Sequence, residues 1–144
     1  MKTRMIAVVG VCCAAAAGLS TTARGQEAAK MTVWDKVYTD EQAKRGEAVY
    51  AKSCAACHGD ALIGGNAPPL KGDEFAFLWG DKSVGELFDR MKTLMPPENP
   101  SGLPADTYRD ITAFVLRANS FPAGEKEMPA DKEALDRIFI TAKQ

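Results

Sequence analysis

The chain has 144 residues, which is enough for one domain. Its 18 lysine and arginine residues against 19 aspartate and glutamate residues give a formal net charge of −1, and no run of basic residues stands out. This balance argues against nucleic acid and against anionic membrane surfaces as partners.

The first 25 residues have the composition of a secretory signal peptide. A basic stretch, MKTR, precedes an uncharged run from Met5 to Ser20, and the small residues Ala23 and Gly25 suit cleavage before Gln26. The uncharged run is short for a membrane span, which needs about 20 residues. We therefore expect residues 1–25 to be removed, and the rest of the chain to reach the periplasm without stable membrane insertion.

Two alternatives to this cleavage remain. The apolar run could be kept as a membrane anchor, whereas a lipoprotein cut at Cys12 or Cys13 is disfavoured because bulky Val11 precedes the first of these cysteines. Cleavage removes three basic residues and no acidic one, which lowers the net charge from −1 to −4. It also leaves Cys54 and Cys57 as the only cysteines.

A leading segment, residues 26–38, precedes the first predicted helix. In the stretch TDEQ, Thr39 is the expected N-cap and Gln42 completes a capping box, so the helix should run from about Asp40 to Lys52. Gly46 lies inside this helix, where glycine costs about 1 kcal/mol relative to alanine. We expect another helix to approach closely at that glycine.

The middle of the chain alternates loop and helix. Glycines and prolines predict a loop at residues 59–73, followed by a short helical turn at 74–80. A second helix begins after Ser83, which caps it with a capping box. It should stop by Met95, because Pro96 disfavours helical geometry in the residue before it.

The third predicted helix begins at Pro104 and runs to about Asn119. Residues 122–144 are polar until a late apolar cluster, and we expect a short helix or an arm that wraps the domain. No alternation typical of strands is sustained. The sequence therefore predicts an all-α domain at residues 39–121, with three main helices and a C-terminal arm.

The stretch SCAACHGD contains the main candidate functional residues. Cys54, Cys57 and His58 form the C-x-x-C-H pattern of covalent c-type haem attachment. Each thiol would add to one vinyl group of the haem, and two intervening residues in a helical turn span the distance between the vinyl groups. The adjacent imidazole would then bind the iron.

Three other interpretations of the cysteines are weaker. A dithiol redox pair would explain neither His58 nor the loop that follows it. A structural zinc site needs four ligands, and only three candidate side chains stand here. A disulfide between Cys54 and Cys57 would close a very short loop and add little stability.

The second axial ligand must come from another residue type, because His58 is the only histidine. Four methionines lie outside the signal peptide: Met31, Met91, Met95 and Met128. We assign Met95, which stands on a proline-stiffened loop; Met91 is the alternative, although it suits core packing, and Met128 ranks third. A His/Met pair raises the reduction potential of a haem.

Residues 39–121 resemble class I cytochrome c. Gly46, Tyr50 and Cys54 stand at four-residue steps, as do a glycine, an aromatic residue and the first haem cysteine in that family, and DITAFV is similar to the family's last helix. The resemblance implies a fold in which three main helices surround one covalently attached haem c. It also implies that the first and last helices pack together.

The same resemblance suggests two further site residues. Family members orient the haem histidine through a backbone carbonyl of a proline-containing loop, and Pro68 in APPL fits that role. Trp79 corresponds to a tryptophan that donates to a haem propionate, with plain core packing as the alternative.

Longer stretches, YTDEQAKRGEAVYAKSCAACHGDALIGG and LRANSFPAG among them, are similar to cytochrome domains associated with quinoprotein (PQQ) alcohol dehydrogenases. This likeness implies redox protein partners, such as a quinoprotein dehydrogenase and a terminal oxidase or another cytochrome. We expect a one-electron carrier between a dehydrogenase and the respiratory chain, with no substrate turnover of its own.

Other functions remain open on the sequence alone. The chain could be a cytochrome subunit fixed to a quinoprotein dehydrogenase, with contacts from residues 120–144 and from the segment around Trp34. A haem enzyme or a gas sensor would need an open iron position, and no second histidine is present to act as an acid–base group.

Overall fold

The computed structural model of the chain describes residues 30–143. The signal peptide expected at residues 1–25 lies outside the described residues, as does the beginning of the leading segment. Within the described range, six α-helices follow one another: α1 (Asp40–Ser53), α2 (Ala55–His58), α3 (Asp73–Trp79), α4 (Val84–Leu94), α5 (Ala105–Ala118) and α6 (Lys132–Leu135). The three longest are α1, α4 and α5, which confirms the predicted fold class.

A minimal sheet joins the two ends of the described chain. Strand β1 (Met31–Thr32) pairs in parallel with β2 (Ile138–Phe139), and Met31 stands opposite Ile138. A single turn of 3-10 helix, Val33–Asp35, follows β1. Each strand has only two residues, too few for the alternation that identifies a strand from sequence.

The helix starts follow the predicted capping chemistry, with one exception. The Thr39 side chain accepts a hydrogen bond from the backbone N–H of Gln42, and the capping box between Ser83 and Glu86 is complete. The Gln42 side chain, however, does not return to the Thr39 backbone as predicted. Its Oε1 accepts from the backbone N–H of Met128 at 2.9 Å, so it holds the C-terminal arm instead.

The boundaries of the later helices differ slightly from the prediction. Pro104 is the N-cap of α5 rather than its first helical residue, so the helix begins at Ala105. The short turn expected at residues 74–80 is a seven-residue helix, α3. Helix α4 ends at Leu94, and Met95 is extended, as the following proline requires.

Helices α1 and α5 form the main helix pair of the domain. A Cβ atom built on Gly46 would lie 1.9 Å from the carbonyl oxygen of Asp110, so only glycine allows this approach. One turn further along, the rings of Tyr50 and Phe114 pack with their centroids 5.1 Å apart. The close approach expected at Gly46 is therefore present.

The C-terminal residues pack against the domain. Trp34 donates from Nε1 to the carbonyl of Thr141 at 2.9 Å, and its ring lies edge-on to Phe121 with centroids 5.0 Å apart. Leu135 and Ile140 are buried in the same core as the long helices. Within residues 30–143, no helix combines the length and apolar character that crossing a membrane requires.

Candidate haem-binding site

The two thiols lie at the junction of α1 and α2. Cys54 is the cap residue between α1 and α2, and the single turn of α2 carries Cys57 and His58. Neither cysteine is in a disulfide. Burial, and to a smaller extent the neighbouring Cys57 and Glu98, raises the pKa of the Cys54 thiol to about 11. Cys57 is exposed.

The imidazole of His58 is buried, with 8% of the residue exposed, and its orientation is fixed. Its Nδ1 lies 2.7 Å from the carbonyl oxygen of Pro68. Because a carbonyl only accepts hydrogen bonds, Nδ1 must carry the proton in the neutral ring. The lone pair of Nε2 is then free to bind a metal.

The loop between α2 and α3 folds back onto the motif. The backbone N–H of Gly64 donates to the carbonyl of His58 at 3.0 Å, and that of Ala67 donates to the carbonyl of Cys57 at 3.0 Å. These bonds bring Pro68 to its position beside the imidazole. The loop is therefore a support for His58, built from its own backbone.

Gly59 is the residue that permits this reversal. Its φ is +78°, and a Cβ atom there would lie 2.7 Å from the carbonyl oxygen of Gly64. The Tyr50 hydroxyl donates to the Gly59 carbonyl at 2.6 Å, which ties the turn to α1. Burial, more than the neighbouring Cys54 and Asp60, raises the pKa of Tyr50 to about 12, so the hydroxyl remains a donor across the neutral range.

Asn119 fastens the far end of the same loop, a role that the sequence analysis missed. Its Nδ2 donates to the carbonyl of Leu70 at 2.9 Å, while its Oδ1 accepts from the backbone N–H of Gly72 at 3.0 Å. Asparagine is common just after the last residue of a helix, so the position of Asn119 in the sequence does not indicate this contact.

The methionines occupy different environments. Met95 follows α4 and is half-buried, whereas Met91, one turn earlier, is packed in the core with 8% exposed. The backbone N–H of Met128 donates to the side chain of Gln42. Gln42 precedes Cys54 by twelve residues, which is about 18 Å along α1. The structure thus separates Met128 from the motif.

The backbone of Met95 is hydrogen-bonded to a side chain of α5. Glu98, three residues after Met95, is the smallest of the causes that raise the pKa of Cys54. Tyr108 on α5 donates from its hydroxyl to the Met95 carbonyl at 2.6 Å. Tyr108 lies on the buried face of α5, and the sequence gives no signal for its contact with Met95.

Trp79 ends α3 and is partly buried against the core. The Lys82 ammonium lies 5.3 Å from the centre of its ring. Among residues 30–143, no protein acceptor is hydrogen-bonded to its indole N–H, so packing and donation to a propionate are both compatible with its position.

The residues present fit a covalently attached haem. Two free thiols flank one helical turn, and a buried imidazole presents Nε2 while its Nδ1 is held by a carbonyl. Within residues 30–143 no group of three or more histidine, cysteine or acidic side chains converges as an ion site. Large apolar side chains remain exposed in the loop after the motif and at the end of α4, namely Ile63 and Leu94.

Two comparisons with known proteins concern the whole sequence and the fold. No curated protein has a matching sequence. The structure is similar to a chain of the sulfane dehydrogenase SoxCD from Paracoccus pantotrophus, with a TM-score of 0.50 and 23% sequence identity. The match covers 74% of this chain and 61% of the other, so this chain spans about three fifths of that one, and the likeness concerns the fold alone.

A family model described as "Cytochrome C oxidase, cbb3-type, subunit III" matches residues 41–115, which is more than half of the chain. The matched region contains the C-x-x-C-H motif, the supporting loop, Met95 and most of α5. The protein is therefore a c-type cytochrome with a class I fold, and it belongs to the cytochrome c family that this model describes.

Proposed function

We propose that this protein is a periplasmic carrier of single electrons, with one haem c ligated by His58 and Met95. The observation that carries the proposal is the His58 geometry: the Pro68 carbonyl at 2.7 Å leaves Nε2 as the only free ring nitrogen. With Met95 as a second ligand, the iron would have no open position for a substrate.

The bound haem supplies one-electron exchange between Fe(III) and Fe(II). Cys54 and Cys57 would hold it covalently. His58 is held in one tautomer and one ring orientation by the Pro68 carbonyl. Met95 would supply the second ligand to the iron.

The proposed partners are redox proteins. The similarity to cytochrome domains of quinoprotein alcohol dehydrogenases supports a quinoprotein dehydrogenase as electron donor, and a terminal oxidase or another cytochrome would be the acceptor. The periplasm as location is supported by the signal-like composition of residues 1–25. Transient redox partners use small interfaces, so a stable complex is not required.

A cytochrome subunit fixed to a larger enzyme is the second candidate. The oxidase subunit named in the family description favours it. Trp34 and Phe121 contact each other within the chain, with ring centroids 5.0 Å apart, and both are only partly buried. Co-purification at physiological salt distinguishes the two, because a fixed subunit stays with its enzyme.

The ligand assignment is tested by spectra of the ferric protein after maturation in a host that attaches haem. Met95→Ala should abolish the weak absorption band in the red that methionine sulfur gives to ferric haem. Met91→Ala, the matched control, should keep the band and lose stability by about 2–5 kcal/mol as a core truncation. Loss of the band in the Met91 variant alone would reverse the assignment.

Rapid, tight binding of cyanide to the unaltered ferric protein would instead favour an open iron site, as in a haem enzyme or a gas sensor. The proposed carrier should bind cyanide slowly, because Met95 must leave the iron first.

A further inference from the structure

Tyr108 makes two contacts at the loop that carries Met95. The residue is 1% exposed, on the inner face of α5. Its hydroxyl donates to the Met95 carbonyl at 2.6 Å and accepts from the backbone N–H of Leu103 at 3.4 Å. One phenol oxygen therefore connects the first and last residues of the segment 95–103, which we call the methionine loop.

The methionine loop is also closed at its base. The backbone N–H and the hydroxyl of Ser101 both donate to the carbonyl of Lys92, at 2.9 and 3.1 Å. Inside the loop, Asn99 donates from its backbone N–H to the carbonyl of Pro96 at 2.9 Å. None of these bonds joins the Met95 backbone to α5. Among the described residues of α5, only Tyr108 makes such a bond.

We propose that Tyr108 is a positioning residue for the axial methionine, and that its hydroxyl sets how often the methionine loop opens and releases Met95 from the iron. This inference rests on the proposed function, since it requires Met95 to be the ligand. Tyr108 itself touches neither the reacting atoms nor the cofactor; it acts through the Met95 backbone.

The expected size of the effect follows from the two bonds. A hydrogen bond of this kind contributes about 0.5–1.5 kcal/mol, and its loss leaves a part-buried carbonyl without a partner. Opening of the loop should therefore become about three- to tenfold more frequent when the hydroxyl is removed. Cyanide reaches ferric iron only after Met95 has left, so its association rate reports the frequency of opening.

The test compares Tyr108→Phe with Tyr38→Phe in the matured haem protein. Tyr38 is a matched control, because it is a fully buried tyrosine whose hydroxyl also donates to a backbone carbonyl, that of Phe121. We expect Tyr108→Phe to keep the red methionine band and to bind cyanide about three- to tenfold faster. Tyr38→Phe should lose similar stability but bind cyanide at the unaltered rate.

Two results would overturn the inference. One is an unchanged cyanide rate in Tyr108→Phe, and the other is an equal acceleration in Tyr38→Phe, which would mean that general stability controls the rate. Absence of the methionine band from the unaltered protein is a different outcome, because it would contradict the proposed ligand set.

A measurement on the unaltered protein keeps the inference testable if Tyr108→Phe does not fold. Within residues 30–143 the only acceptor for the Leu103 amide is the Tyr108 oxygen. Hydrogen exchange at that amide should be slowed at least about threefold relative to an unstructured peptide. Exchange at the peptide rate would show that the phenol does not close the loop.

Discussion

At the scale of single residues, the support of His58 depends on backbone geometry that few side chains tolerate. Gly59 has φ +78° and ψ 148°, a region that is essentially restricted to glycine. This conformation reverses the chain directly after the histidine. It thereby lets the loop return its Pro68 carbonyl to the imidazole.

Gly59→Ala tests this requirement, with Gly72→Ala as the matched control. Gly72 has a similar φ of +82°, but a Cβ atom there has no neighbour within 4 Å. Backbone strain of about 1–3 kcal/mol should affect both variants. Gly59→Ala should lose about 1–3 kcal/mol more, because its Cβ meets the Gly64 carbonyl.

Urea unfolding of the two haem proteins measures the difference. Equal losses of unfolding free energy would mean that the contact with Gly64 does not hold the loop.

The residue scale also shows what sequence could predict at the site. Cys54, Cys57 and His58 are identifiable because haem attachment needs them within five consecutive residues. Asn119 and Tyr108 are not, because their contacts join segments 47 and 13 residues apart and depend on how α5 packs. Asparagine is ordinary at a helix end, and tyrosine is ordinary on a buried helix face, so neither residue type indicates its contact.

At the scale of elements, the contact between α1 and α5 organises the domain. Gly46 allows the α1 backbone to approach the carbonyl of Asp110. The same contact sets the position of Tyr50, which holds the Gly59 carbonyl. The packing of α1 against α5 therefore affects the haem motif through Tyr50.

Gly46→Ala should destabilise the protein by at least about 2 kcal/mol, although alanine has the better helix propensity. The reason is that a Cβ 1.9 Å from a backbone oxygen forces the two helices apart. Lys44→Ala, at an exposed position on the same helix, is the control and should stay within about 0.5 kcal/mol. Thermal unfolding measures both, and a neutral Gly46→Ala would refute the close approach.

The helix starts were predictable because capping is local. Thr39 and Ser83 both cap through a hydrogen bond that spans three residues. The Gln42 side chain was wrongly predicted, since its partner, the N–H of Met128, lies 86 residues away. The parallel pair of β1 and β2 was missed for the same reason, because it joins the two ends of the described chain.

At the scale of the whole molecule, Tyr38 links the leading segment to the C-terminal residues through its bond to the Phe121 carbonyl. Burial is the main cause that raises its pKa from 10 to about 12, with a smaller contribution from Asp40. The unfolded chain therefore loses this proton near pH 10, whereas the folded chain keeps it until about pH 12. Ionisation in this window favours the unfolded chain.

The contribution of Tyr38 to the free energy of unfolding should therefore be constant below pH 10 and should decrease as the pH rises towards 12. Tyr50, whose pKa is also raised to about 12, contributes in the same direction. Tyr38→Phe should make the decrease shallower, as measured by urea unfolding at fixed ionic strength across that range. A decrease as steep as that of the unaltered protein would mean that Tyr38 ionises equally in both states.

The most direct test of covalent haem attachment is the mass of the matured protein after extraction with acidified acetone. We expect a polypeptide that stays coloured and exceeds the mass of its own chain by one haem, with attachment lost when Cys54 and Cys57 are both replaced by alanine. A colourless polypeptide with the mass of the bare chain would contradict it.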